Sequence, residues 1–111
     1  MAISTPGQFI VVLTTLPDAD SAERLASSLV EKKLAACVNI HGRMTSIYRW
    51  RGRIERGTEQ QLVIKTTAAR YAAVERQIKQ EHPYELPEIL ALPVSDGLAE
   101  YIEWVDSCTK Q

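Results

Sequence analysis

The sequence predicts an α+β domain in which two β-α-β units share one four-stranded sheet. Two stretches, QFIVVLTTL (8–16) and LVIKTT (62–67), are apolar, β-branched and carry a Thr–Thr pair near their ends. Each precedes a stretch with apolar residues at helical spacing, and each helix is followed by another strand-like stretch. Two right-handed crossovers of this kind give the split β-α-β arrangement called ferredoxin-like. A final helical stretch adds a C-terminal helix to that fold.

The first helix is predicted to begin at a capping box formed by Asp20 and Glu23, soon after the first strand. Its apolar residues then recur at helical spacing: Ala22, Leu25, Ala26 and Leu29. We expect this helix to end near Lys33.

The second strand begins with LAACVNI (34–40) and continues towards Tyr48 through β-branched and aromatic residues. The stretch YRWRGRIE (48–55) then predicts a hairpin that turns at Arg51–Gly52. Glycine favours this turn because it tolerates the positive φ that a tight hairpin needs.

The second unit repeats this order. Apolar residues at helical spacing (Tyr71, Val74, Ile78) follow the third strand, and His82–Pro83 stops the helix. LPEILALPV (86–94) is predicted as the last strand. The C-terminal helix is marked by Leu98, Tyr101, Ile102 and Val105.

In the predicted sheet, the first and third strands lie parallel in the centre and the second and fourth form the edges. Pro87 and Pro93 agree with an edge position for the fourth strand, because proline cannot donate to a ladder. The first strand is apolar on both faces, whereas both helices of this fold cover one face. A second copy of the same surface would cover the other face, so we expect an obligate oligomer.

Composition limits the possible classes of protein. The chain has 111 residues, 45% hydrophobic and 24% charged, which is typical of one soluble domain. We expect a flexible tail over 1–7 and a single domain over 8–111. A net charge of −1 gives no general attraction to nucleic acid or anionic membranes. Two cysteines without a Cys-x-x-Cys motif, no membrane-length apolar run and no signal-like N-terminus favour the cytoplasm.

Several residues able to bind a ligand are predicted to meet at one end of the sheet. In open α/β sheets, ligands favour the rim at the carboxyl ends of strands. With the central strands parallel, that rim gathers Thr14, Thr15, Cys37, Lys65, His82, Tyr84 and Glu88.

The stretch EHPYELPEIL (81–90) leaves two interpretations open. His82 and Glu88 are suitable ligands for a divalent cation such as Cu²⁺ or Zn²⁺, with Cys37 as a third candidate. The two prolines could equally be the stiff entry to a strand. If fully extended, the segment would separate His82 from Glu88 by roughly 20 Å, so a shared ion requires the loop to fold back. A metal here is expected to bind weakly, and nothing in the sequence indicates an organic cofactor.

A basic hairpin suggests a competing role. Five arginines flank Tyr48 and Trp50, and arginine with interleaved aromatics is typical of single-stranded nucleic-acid binding (Arg43, Arg49, Arg51, Arg53, Arg56). RNA-recognition domains of this fold place their aromatics on the central strands, where this chain offers only Phe9. We therefore predict a hairpin that contacts another subunit, and no nucleic-acid partner.

Five segments resemble a known family: KKLAACVNI, TSIYRWRGRIE, LVIKT, HPYELPEILALPV and YIEWV. They are similar, in order and without gaps from Val11 to Val105, to the divalent-ion tolerance (CutA) proteins. The resemblance implies a ferredoxin-like subunit in a tight homotrimer, similar in shape to the nitrogen-regulatory signal proteins. It also implies a cytoplasmic protein linked to copper and other divalent cations, with no established catalytic activity. A trimeric small-molecule signal protein without a dedicated metal role is the alternative.

The family's signature positions fall on nine residues of this chain, and some of them line clefts between subunits. By this resemblance the metal candidates His82 and Glu88 are joined by Tyr48, Trp50, Glu59, Lys65, Tyr84, Tyr101 and Trp104. Some members carry a first-strand cysteine that can serve copper, where this chain has Thr14. A hydroxyl is a poor ligand for a soft copper ion, so high copper affinity is not expected from this position.

Overall fold

A computed structural model describes residues 8–110 of the chain. The predicted tail over 1–7 and the last residue, Gln111, lie outside the described residues. The elements are β1 (Phe9–Leu16), α1 (Ala19–Glu31), β2 (Cys37–Trp50), β3 (Arg53–Thr67), a 3₁₀ turn (Ala68–Arg70), α2 (Tyr71–Glu81), β4 (Leu90–Pro93) and α3 (Ala99–Cys108). The predicted order of strands and helices, including the C-terminal helix, is confirmed.

The four strands form one sheet in the order β2-β3-β1-β4, and every neighbouring pair is antiparallel. The central position of the first and third strands is confirmed, but their predicted parallel direction is wrong. Helix α1 returns the chain so that β2 runs parallel to β1. The hairpin then folds β3 back between them, which makes β3 antiparallel to both. The edge positions of β2 and β4 are confirmed.

Helices α1 and α2 cover one face of this sheet and enclose the core with it. Alternate residues of β1 point into the core, and Ile10 and Val12 are fully buried. The remaining core side chains with 0–1% exposure include Leu16, Leu25, Leu29, Leu62, Ile64, Val74 and Ile78. Full burial of each aliphatic side chain contributes about 1.5–3 kcal/mol, so this layer supplies most of the stabilisation of the sheet.

The N-cap of helix α1 lies two residues before the predicted one. Asp18 is the N-cap: its backbone is extended, and its carboxylate accepts a hydrogen bond of 2.8 Å from the Ser21 N–H. This bond is the main cause that lowers the pKa of Asp18. The box predicted from Asp20 and Glu23 is therefore wrong, because the residue that closes the strand already caps the helix. The helix ends at Glu31, close to the predicted position.

The predicted hairpin turn at Arg51–Gly52 is confirmed. Both residues have positive φ, 51° and 80°, as two-residue hairpin loops favour. Strand β3 is longer than predicted and begins at Arg53. Its first seven residues, 53–59, pair with β2, whereas β1 pairs only with residues 60–67. The hairpin tip therefore extends beyond the rest of the sheet.

The fourth strand is shorter than predicted, because only Leu90–Pro93 joins the ladder. The segment 82–89 between α2 and β4 runs as a loop along one end of the sheet. The second face of the sheet is only partly covered by α3, whose Tyr101 ring lies 6.1 Å from that of Phe9. On β4, Leu90 and Leu92 stay 55% and 48% exposed. Among residues 8–110, no helix is long and apolar enough to span a membrane.

Candidate functional site

A cleft of about 690 Å³ lies between the β2–β3 hairpin and the segment 82–89. We call it the hairpin cleft. Carboxylates, aromatic rings and apolar side chains share its walls. It is lined by Thr15, Met44, Ser46, Ile47, Tyr48, Trp50, Glu59, Gln61, Pro83, Tyr84, Glu85, Leu86 and Glu88. Its size falls within the range of small-molecule sites.

His82 anchors the segment 82–89 to the end of β1. Its Nδ1 accepts a hydrogen bond of 3.1 Å from the Tyr84 N–H, so the ring proton resides on Nε2. That Nε2–H donates to the Thr15 carbonyl oxygen at 2.6 Å. The imidazole is 9% exposed, and both of its nitrogens are engaged. In this arrangement His82 holds the wall of the cleft and offers no free lone pair to a metal ion.

Tyr84 connects that segment to the floor of the cleft. Its O–H donates to Glu59 Oε2 at 2.9 Å, and Glu59 is 9% exposed. Burial, followed by the hydrogen bond to the Glu59 carboxylate, raises the pKa of the Tyr84 phenol. The phenol therefore remains a proton donor, and its hydrogen bond positions the Glu59 carboxylate in the cleft.

The structure does not bring Cys37 to this end of the sheet. Cys37 pairs with Lys65, which pairs with Val11 of β1. Val11 is four residues from Thr15, roughly 13 Å at the rise of a strand. The prediction placed Cys37 at the same rim as Thr15 because it took the central strands to be parallel. Antiparallel strands end at opposite rims, so the two residues lie apart. Glu88 lines the hairpin cleft but is exposed.

No three histidine, cysteine or acidic side chains of residues 8–110 come close enough together to hold one metal ion. The predicted set of His82, Glu88 and Cys37 is thus not assembled within one subunit. Thr14 also lies elsewhere, because it is fully buried on the helix side of β1. The described part of a single chain therefore does not assemble a chelated metal centre.

The remaining predicted cleft residues fall into two groups. Tyr48, Trp50, Glu59 and Tyr84 line the hairpin cleft. The others lie at the opposite end of the second face, beside α3. There the Lys65 Nζ is 6.0 Å from the Tyr101 ring centroid, and the rings of Tyr101 and Trp104 are 5.5 Å apart.

Sequence reasoning missed the ion pair at the mouth of the cleft. Arg51 Nη2 lies 2.9 Å from Glu85 Oε1, which joins the hairpin tip to the segment 82–89. The Arg51 guanidinium also lies 5.2 Å from the centroid of the Trp50 ring. The basic residues of the hairpin were the signal that could have indicated an acidic partner. The partner of Arg51, Glu85, is 34 positions away in the sequence, so only the folded structure identifies it.

Comparison with known proteins gives the family. The model of the CutA1 divalent ion tolerance protein matches residues 10–108. The divalent-cation tolerance protein CutA of Thermus thermophilus is 45% identical over 86% of this chain and 92% of that protein. The chloroplastic protein CutA 1 of Oryza sativa is 39% identical over 97% of this chain but only 61% of that protein. The crystal structure of CutA1 from Oryza sativa superposes with a TM-score of 0.92 at 39% identity, covering 97% of this chain and 99% of that one. The chain belongs to the CutA1 divalent ion tolerance family.

Proposed function

We propose that this protein acts in divalent-cation tolerance as a cytoplasmic homotrimer, with a weak cation site in the hairpin cleft that a second subunit completes. The observation that carries the proposal is the negative lining of the cleft. Three of its lining residues are carboxylates, Glu59, Glu85 and Glu88, and only Glu85 has a cationic partner among residues 8–110. Such a wall attracts cations.

Assembly is supported by the second face of the sheet. Helix α3 packs near Phe9 and leaves Leu90 and Leu92 about half exposed. Adjacent apolar residues of this kind typically mark a protein interface. Burial against a second copy would remove them from water and would place a second chain near the sheet edges.

The donor atoms limit the kind of cation. Carboxylate oxygens suit hard and borderline divalent ions, and Cu²⁺ binds N and O donors more strongly than the other first-row divalent ions. His82 would bind the cation only if its ring gave up its hydrogen bonds to Thr15 and Tyr84. We therefore assign the chain's own part of the site to Glu59 and Glu88, with His82 as the positioning residue.

The assembly is tested by sedimentation equilibrium at micromolar protein. We expect a mass about three times that of the 12.4 kDa chain. A monomer at this concentration would contradict both the assembly and a site that a second subunit completes.

The cation site is tested by isothermal titration with Cu²⁺ and Zn²⁺. Glu88→Gln should weaken binding roughly tenfold or more, because a charge-assisted contact is worth about 1.5–3 kcal/mol. Glu100→Gln, on the exposed start of α3, is the matched control and should bind as the wild type does. Equal affinity of Glu88→Gln and wild type would refute the assignment.

The same titration separates the roles of His82 and the carboxylates. His82→Gln removes the imidazole while Glu59 and Glu88 remain. If the carboxylates are the ligands, this variant should keep cation binding, weakened only through the lost contacts with Thr15 and Tyr84. Complete loss of binding in an intact assembly would give His82 the ligand role predicted from the sequence.

A second candidate function, small-molecule signalling, is favoured by the aromatic walls of the cleft. Tyr48, Trp50 and Tyr84 present more ring surface than a metal ion can use. A thermal-shift screen of metabolites against the trimer tests this function. Stabilisation by a metabolite, with none by divalent cations, would favour it over the metal role.

A further inference from the structure

Among residues 8–110, the Glu59 carboxylate has no countercharge. Glu59 is 9% exposed, and the side-chain hydrogen bond that its carboxylate accepts, from Tyr84, comes from a neutral group. The ion pairs among residues 8–110 are Arg51–Glu85 and Lys110–Asp106, so no cationic side chain of this part of the chain neutralises Glu59. A buried carboxylate without a positive partner is costly. A cation bound in the cleft would offset that cost.

The surroundings of Glu59 fit an organic cation better than a metal ion. Its cleft of about 690 Å³ is far larger than one ion needs, and no three metal-ligating side chains converge there within residues 8–110. Three aromatic residues (Tyr48, Trp50, Tyr84) line the same space. Aromatic faces attract ammonium and guanidinium groups, and most strongly where water is displaced.

The mouth of the cleft already holds one such group. The Arg51 guanidinium lies 5.2 Å from the Trp50 ring centroid and 2.9 Å from the Glu85 carboxylate. The side chains of this ion pair are 69% and 73% exposed, so the pair is weak and can exchange with a competing cation. In this protein, an aromatic face beside a carboxylate therefore already contacts one cationic group.

We propose that the hairpin cleft binds a small organic cation of the amine or guanidine class. Its charged end lies against Glu59, its carbon chain contacts the aromatic walls, and Glu85 and Glu88 add negative charge at the mouth. This inference rests on the cation-binding role of the cleft proposed above but requires no metal. A chelating metal site would not select amines or guanidines, so the ligand class distinguishes the two kinds of site.

The test is isothermal titration of the intact protein with three probes of similar length. Agmatine carries a guanidinium and an ammonium group, putrescine carries two ammonium groups, and n-butylurea is neutral. We expect saturable binding of agmatine and putrescine and no binding of n-butylurea. Binding of all three probes with equal affinity would overturn the proposal, because it would show that charge is not recognised.

Variants assign the binding to the cleft. Glu59→Gln keeps an acceptor for the Tyr84 O–H but removes the charge, and should weaken agmatine binding about tenfold or more. Trp50→Leu should weaken it by several fold through the lost ring face. Glu100→Gln is the control, and sedimentation checks that each variant assembles as the wild type does. If Glu59→Gln does not fold, Glu88→Gln replaces it with a smaller expected loss. Unchanged affinity in the cleft variants would overturn the proposal.

A parallel titration with Zn²⁺ distinguishes failure of this inference from failure of the metal role. Amine binding without Zn²⁺ binding would support the inference and refute the metal site. Zn²⁺ binding without amine binding would overturn the inference and leave the metal site standing. Binding of neither would overturn the inference, and would indicate that a partner subunit supplies the cation to Glu59.

Discussion

At the scale of single residues, hydrogen bonds decide what the cleft can do. The pattern of histidine and glutamates in 81–90 predicted a ligand site in a segment that the structure places along the cleft. The pattern could not show that His82 uses both ring nitrogens, because its partners include Thr15, 67 positions away. Nor could it show that Glu59 and Tyr84 meet. Residue types therefore predicted which side chains could bind a ligand, but only the long-range contacts show which of their atoms are already engaged.

Tyr84 gives a prediction about high pH. Its raised pKa means that the folded protein keeps the phenolic proton at a pH where the unfolded chain, with a pKa of ~10, has lost it. The folded state then binds more protons, so stability falls as pH rises above ~10. Alkaline titration followed by tyrosinate absorbance should show a late-ionising component that Tyr84→Phe removes. Tyr71→Phe is the comparison: the pKa of Tyr71 is also raised, mainly by burial, so this variant should leave the Tyr84 component in place. A late component that is unchanged in Tyr84→Phe would contradict the burial of Tyr84 and its contact with Glu59.

Thr14 gives a prediction about stability. Among residues 8–110, its Oγ1 is the one buried side-chain nitrogen or oxygen without a hydrogen-bond partner. Thr14→Val removes this unpaired hydroxyl at almost constant volume and should raise the free energy of unfolding by about 1 kcal/mol.

The matched control is Thr66→Val, because the Thr66 hydroxyl is equally buried but donates to the Leu34 carbonyl at 2.6 Å. This variant leaves that carbonyl unpaired and should lower the free energy of unfolding by about 1–3 kcal/mol. Denaturant unfolding at one fixed protein concentration measures both variants. Equal destabilisation by the two substitutions would show that Thr14 has a partner after all.

At the scale of elements, local patterns predicted strands and helices well and directions poorly. Gly52 located the hairpin turn because positive φ is a local requirement. The spacing of apolar residues located α1 and α2, because the buried face of a helix repeats an apolar residue every three or four positions. The direction of β3 depends on a pairing that no local pattern contains. That single error moved Cys37 and Lys65 to the wrong rim, and it accounts for the difference between the predicted metal set and the observed cleft.

At the scale of the whole molecule, the two ends of the second sheet face carry different side chains. At one end, beside α3, Lys65 lies near the Tyr101 ring, and apolar β4 residues on this face are about half exposed. The other end carries the hairpin cleft, where Glu59 has no cationic partner among residues 8–110. The sequence predicted the need for a covering partner from the doubly apolar β1. It could not predict that the hairpin extends past the sheet and forms the cleft wall.

We propose that cations bind at the cleft end of the sheet and not at the Cys37 end. The most direct measurement is a proton–nitrogen correlation spectrum of the assembled protein, titrated with Zn²⁺. We predict that the largest amide shifts occur at Glu59, Tyr84 and Glu88, and that Cys37 and Lys65 stay unchanged. Shifts centred on Cys37 and Lys65, or no saturable shift at the cleft residues, would contradict a cation site in the hairpin cleft.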